Sequence, residues 1–189
     1  MVQPSLRPQD VVVLAKLVAY GGTRPPLARM GLELSISGSE VHGSLRRLAA
    51  ARLVSKAEEA HQPLVGAVEE FLVHGVKYAF PAKRGEVTRG VPTSYAAPPL
   101  AARFAPTAEL PPVWPFSEGQ TRGVTLVPLY RTVPEASLRD GVLYELLALV
   151  DAIREGRTRE RRAAEEELVA RIRRQLDERP EPSSARNRR

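Results

Sequence analysis

Apolar residues recur at helical spacing over three short stretches near the start of the chain. Val11, Leu14, Leu17 and Val18 predict a helix over Leu6–Tyr20, ended by Gly21-Gly22 because paired glycines release the turn that helix ends favour. Leu27, Ala28 and Met30 predict a second helix over Pro26–Leu34, in which Gly31 can break the turn. Val41, Leu45 and Leu48 predict a third within Ser35–Val54, SISGSEVHGSLRRLAAARLV. Its start is fixed by Ser37 and Glu40, whose spacing lets hydroxyl and carboxylate satisfy two otherwise orphan amides.

Ser39, His42, Gly43 and Arg46 fall away from the apolar stripe of the third helix. Small residues there let a helix backbone approach base edges in a major groove, which a helix fits by width, and arginine reaches guanine edges or phosphates. Those four residues are the candidate groove contacts. A helix, a tight turn and a second helix form the arrangement that presents a recognition helix. With LARMGLELS for the supporting helix and turn, SGSEVHGSLRRL for the recognition helix and AARLV for the exit, residues 6–54 resemble the helical part of a winged helix-turn-helix domain. The likeness is to bacterial transcription regulators of the MarR or IclR style. It implies a dimeric regulator binding double-stranded operator DNA. A member of those families would follow AARLV with a short hairpin, the wing, whereas Ser55–Pro63 (SKAEEAHQP) is polar and lacks a clear alternating return strand.

Beyond residue 63 the pattern changes twice. Leu64–His74 places Leu64, Val68, Phe71 and Leu72 together and reads as a helix closed by Gly75. Residues 79–134 then hold ten of the seventeen prolines, a density that forbids long helices and central strands. Tyr78, Phe80, Tyr95, Phe104, Trp114, Phe116 and Tyr130 supply anchors that a solvated linker does not need, so the segment is expected to wrap across the helices. Its best strand candidates are Val76–Phe80 and Val124–Val127. Lys83-Arg84-Gly85, Arg89-Gly90 and Arg122-Gly123 read as basic glycine turns. Lys83, Arg84 and Arg89, together with Arg47, are the candidate contacts to the DNA backbone, which position a protein more than they choose sequence.

Helical spacing returns over Glu135–Arg154, and again from Ala163 to Leu176. Leu143, Leu147 and Ala148 widen the apolar face of the first until it nearly encircles the helix, as in core or interface helices. Leu138, Val142, Leu146, Leu149, Ile153, Leu168 and Ile172 are accordingly the candidate dimerisation residues, with packing inside the chain as the alternative. Gly156 either kinks one long helix or separates two. Asp177–Arg189 is polar and should be a disordered basic tail.

Composition narrows the function. The 189-residue chain carries a formal net charge of +6, which suits an anionic partner, although much of the excess is arginine at the C-terminus. It has no cysteine, so disulfides and cysteine zinc sites are excluded and a cytoplasmic setting is expected. No signal-peptide pattern opens the chain, no run is long enough to cross a membrane, and a soluble protein is expected. His42, His61 and His74 have no metal spacing, and Glu69-Glu70 diverge from a helix, so no metal, cofactor or catalytic residue is expected.

The fold expected is mainly α. A helix-turn-helix domain with a closing helix spans 1–78, a proline- and aromatic-rich segment with short strands 79–134, a helical dimerisation section 135–176 and the tail 177–189. The function expected is a dimeric, sequence-specific DNA-binding transcription regulator. The alternative is a non-catalytic protein adaptor, or antitoxin-like partner, that uses a helix-turn-helix fold to bind another protein.

Overall fold

In a computed structural model, the described residues are 5–56, 61–104 and 108–177. They form a mostly helical molecule with one small sheet. Helix α1 (Pro8–Ala19) opens with proline at its first turn and with the Arg7 amide donating to the Asp10 carboxylate at 2.8 Å. Every residue from Gln9 to Val18 is buried, because α1 lies between later helices rather than along one surface. Lys16 is buried with them, and its ammonium reaches Asp140 at 2.6 Å and Glu33 at 2.7 Å. Burial acts to lower the Lys16 pKa, but the bonds to Asp140 and Glu33 outweigh it and leave the pKa raised.

Helix α2 (Leu27–Leu34) does not break at Gly31. A Cβ at Gly31 would come within 2.7 Å of the Ile36 carbonyl oxygen, so the glycine lets the chain fold back closely after α2. Ser35 takes the left-handed conformation there, with φ of 53°. Helix α3 (Gly38–Ala50) follows, and the reciprocal cap forms as expected. The Glu40 amide donates to Ser37 Oγ at 3.2 Å, and the Ser37 amide donates to Glu40 Oε2 at 2.9 Å.

A return strand after α3 was not legible, yet the chain makes a minimal one. The Ser55 amide donates to the Gln62 carbonyl at 2.8 Å and the Leu64 amide to the Leu53 carbonyl at 3.0 Å, around a Val54–Pro63 bridge. A pairing this short has no room for alternation to show. Residues 57–60 between the arms lie outside the described set.

Val76–Phe80, expected as a strand, is helical instead. Helix α4 (Val65–Glu70) runs through a wide π turn, Phe71–Gly75, into α5 (Val76–Ala79). Gly75 therefore does not end the helix. The Phe71 ring occupies the space beside it, at 3.0 Å from where a Cβ would stand.

The proline-rich segment does contain strands. β1 (Arg84–Pro92) pairs antiparallel with β3 (Thr121–Leu126) and with β2 (Pro112–Pro115), while β2 and β3 pair in parallel, closing a three-stranded sheet. Arg84-Gly85, Arg89-Gly90 and Arg122-Gly123 are thus in strands, not turns. A Cβ at Gly90 would fall on the Trp114 carbonyl and one at Gly123 on the Pro111 carbonyl, so these glycines permit backbone closure. Trp114 is buried, and its indole N–H donates to Asp151 at 2.6 Å, with Thr93 donating to the same oxygen at 2.9 Å.

The last expected helix is two. α6 (Val133–Arg139) stops at Asp140, whose carboxylate accepts from the amides of Val142 and Leu143 and so caps α7 (Gly141–Glu155). Gly156 separates α7 from α8 (Thr158–Asp177), and the two pack together. The broad apolar face of α7 is covered within the chain: α1, α5, α6 and α8 all pack against it. Leu146, Leu149, Ile153, Leu168 and Ile172 are consequently core residues at 0–1% exposure, and a dimer contact through them is ruled out in this conformation. Only Leu138 and Val142 of the proposed dimerisation set are exposed. Residues 178–189 of the expected tail lie outside the described set, and no described helix is long and apolar enough to cross a membrane.

Candidate nucleic-acid interface

Helix α3 presents two unlike sides. Val41, Ser44, Leu45 and Leu48 are buried against the body of the molecule. Ser39, His42 and Arg46 are exposed and, spaced three and four residues apart, share one side of the helix. Gly43 is half-buried between the two sides. Ser39 Oγ lies 3.0 Å from Ser37 Oγ, which settles its rotamer at the helix start. Among the described residues His42 and Arg46 make no hydrogen bond or ion pair, so both side chains remain available to a ligand.

The orientation of α3 is set by two polar ties. Arg47 does not face solvent as expected for a DNA backbone contact. Its guanidinium turns inward and grips the fully buried Asp10 with bonds of 2.8 Å and 2.6 Å, joining α3 to α1. That bond removes Arg47 from the candidate contacts. At the helix start, Glu40 Oε1 accepts from the Tyr130 hydroxyl at 3.1 Å and from Gln9 Nε2 at 3.4 Å. Bonds from the Ser37 amide, the Ser37 hydroxyl and Tyr130 hold the Glu40 pKa down to about 2. Glu40 is therefore a fixed negative group at the N-terminus of α3, where the helix dipole favours it.

The remaining candidates are dispersed. Arg84 pairs with Glu155, so its charge is answered within the chain. Lys83 lines a cleft beside Pro8 and Phe80. Arg89 stands directly across the sheet from Arg122, both exposed, and like charges so placed repel unless an anion lies between them. The sheet that carries Arg84 and Arg89 has no extensive packing against α3.

Two further arginines, missed in the sequence, flank α3 in space. Arg52 follows its C-terminus, exposed and in the left-handed conformation with φ of 59°. Arg131 lines a shallow cleft with Ser37 and Gly38 at the N-terminus, placed there by the neighbouring Tyr130–Glu40 bond. Arg52 could have been noticed as a cation two residues past the helix. Arg131 carries no local signal, because 90 residues separate Tyr130 from Glu40.

No family model, curated protein or solved structure matches this chain.

Proposed function

We propose that the protein is a cytoplasmic, dimeric, sequence-specific regulator of transcription that binds double-stranded DNA with α3 in the major groove. The observation that supports this most is the free side of α3, where Ser39, His42 and Arg46 project together while Asp10, Tyr130 and the apolar stripe hold the opposite side. A reading surface needs both properties, since side chains reach base edges reproducibly only from an immobile helix. In this reading Arg46 contacts a guanine edge or a phosphate, Ser39 and His42 approach the groove, and Gly43 allows close approach. Arg52 and Arg131 replace Arg47 as phosphate contacts at the two ends of the helix. In the same reading the short ladder Leu53–Ser55 with Gln62–Leu64 serves as a minimal wing.

A protein-binding role is favoured by a different feature. Leu32 on α2 is 77% exposed and Leu138 on α6 is 60% exposed, and Arg139 joins the two helices by donating to the Leu32 carbonyl. Exposed leucines of this size suit a partner surface, either a second copy or an unrelated protein.

Selection from a random double-stranded DNA pool separates the readings. Enrichment of a palindrome, with Arg46→Ala reducing affinity for it by about tenfold or more and binding falling steeply with salt, is the expected result. A pool that stays flat would overturn the DNA reading and leave the adaptor.

A further inference from the structure

A cleft of about 440 Å³ opens between the start of α1, the end of α5, the turn after β3 and the C-terminal end of α7. Pro8, Phe80, Val127 and Leu129 give it apolar walls, and Lys83 and Arg154 face it from the polar side. Val127 is 44% exposed, so part of its apolar surface is open to the cleft.

The two cations are not equivalent. Arg154 has a side chain only 5% exposed; it donates to the Phe80 carbonyl at 2.7 Å and pairs with Asp151, which balances its charge. Its remaining contact, to the Pro81 carbonyl, is long at 3.4 Å, so the guanidinium edge keeps donor capacity toward the cleft. The Lys83 ammonium has no ion pair among the described residues. The cleft thus offers one unanswered positive charge, one rigidly held donor group and an apolar remainder.

We propose that this cleft binds a small organic monoanion: one carboxylate on an aromatic ring or branched apolar body. A single uncompensated charge matches a carboxylate better than a doubly charged phosphate, and sites of this volume with mostly apolar walls and few polar groups hold such ligands. The carboxylate meets Lys83 and the Arg154 edge; the apolar body lies against Phe80, Val127 and Leu129.

The site also touches the supports of α3. Pro8 precedes Gln9 and Leu129 precedes Tyr130, and Gln9 and Tyr130 are the two side chains that bond Glu40 from outside its own helix. An occupant that shifts either wall changes how the start of α3 is held. The regulatory meaning of that link rests on the DNA reading; binding itself does not.

The test is titration of the full chain with sodium phenylacetate, benzoate and isovalerate, followed by amide NMR shifts, with phenylacetamide as the neutral control. Saturable shifts at the non-proline residues of 79–83 and 127–129 are expected, together with shifts at Gln9, Glu40 and Tyr130. Lys83→Gln, at an exposed position, should bind roughly fivefold more weakly, the worth of one part-exposed ion pair. Ala79→Trp should fill the cleft and abolish the shifts. No saturable shift with any of the three anions, equal binding of phenylacetamide, or binding untouched by both substitutions would overturn the site. Shifts confined to the cleft, with none at Glu40, would overturn the link to α3 alone. Neither arm uses DNA, so a failed DNA selection leaves this result standing.

Discussion

Replacing Arg47 by alanine would leave the buried Asp10 carboxylate with the Arg7 amide but no counter-charge, and breaking a buried pair in this way costs about 3–5 kcal/mol. Arg47→Ala is therefore expected to unfold at clearly lower urea, followed by circular dichroism. Arg46→Ala, one residue away on the exposed side, should stay within about 0.5 kcal/mol of the parent. Equal stability losses in the two variants would contradict the inward placement of Arg47. The contrast marks a limit of the sequence. Ser39, His42 and Arg46 were legible as a set because helical spacing sorts residues by side, but Arg47 gave no sign of its partner. Asp10 lies 37 residues earlier, and nothing local records that pairing. Lys16 is similar: its position inside an apolar run announces burial, whereas its answering charges arrive from α2, with Glu33, and from the junction of α6 and α7, with Asp140.

Helix α3 owes its docking at the start to Glu40, and α1 is tied to α2 through Glu33; both carboxylates have pKa values lowered to about 2 from an ordinary 4.5. For Glu33 burial alone would raise the value, and bonds from Lys16, Tyr20 and Arg29 overcome it. A carboxylate depressed in the fold contributes stability above its unfolded pKa and loses it as pH falls through the folded value. Stability should therefore drop between about pH 4.5 and 2, and Glu40→Gln should show a smaller drop when urea midpoints at pH 6 and pH 3 are compared. An unchanged pH response in that variant would remove Glu40 from this account. Asp151 works with opposite sign, since burial raises its pKa despite Arg154, Trp114 and Thr93, so its contribution weakens as pH rises. At this scale the helices were mostly readable: the cap at Ser37–Glu40 and the apolar spacing located α3 closely. The sheet was not. Its glycines answer to backbone closure by Trp114 and Pro111, and a glycine required by a distant strand looks the same in sequence as one required by a turn. Likewise Asp140 ends one helix and starts another inside a run whose apolar spacing continues unbroken.

Across the whole molecule, one buried cluster runs from α1 through α3, the middle segment and α7 to α8. The position of α7 decides how an oligomer can form. Leu146→Ala should destabilise the folded chain by about 2–5 kcal/mol, because it empties core volume. Leu138→Glu should leave folding intact and, if twofold pairing uses this surface, convert dimers to monomers in sedimentation at micromolar concentration. A dimer that survives Leu138→Glu and Val142→Glu would place the contact elsewhere. The wide apolar stripe was visible in the sequence, but a stripe does not say whether its cover comes from a copy or from the same chain. Because α1 is packed from both sides, by α3 and by α7, residues 1–78 share their interior with the C-terminal helices. A truncation after that point would strip water-shy surface bare along α1. Deletion mapping of this protein would then register collapse as missing activity, and single-residue changes on exposed positions are the sound way to dissect it.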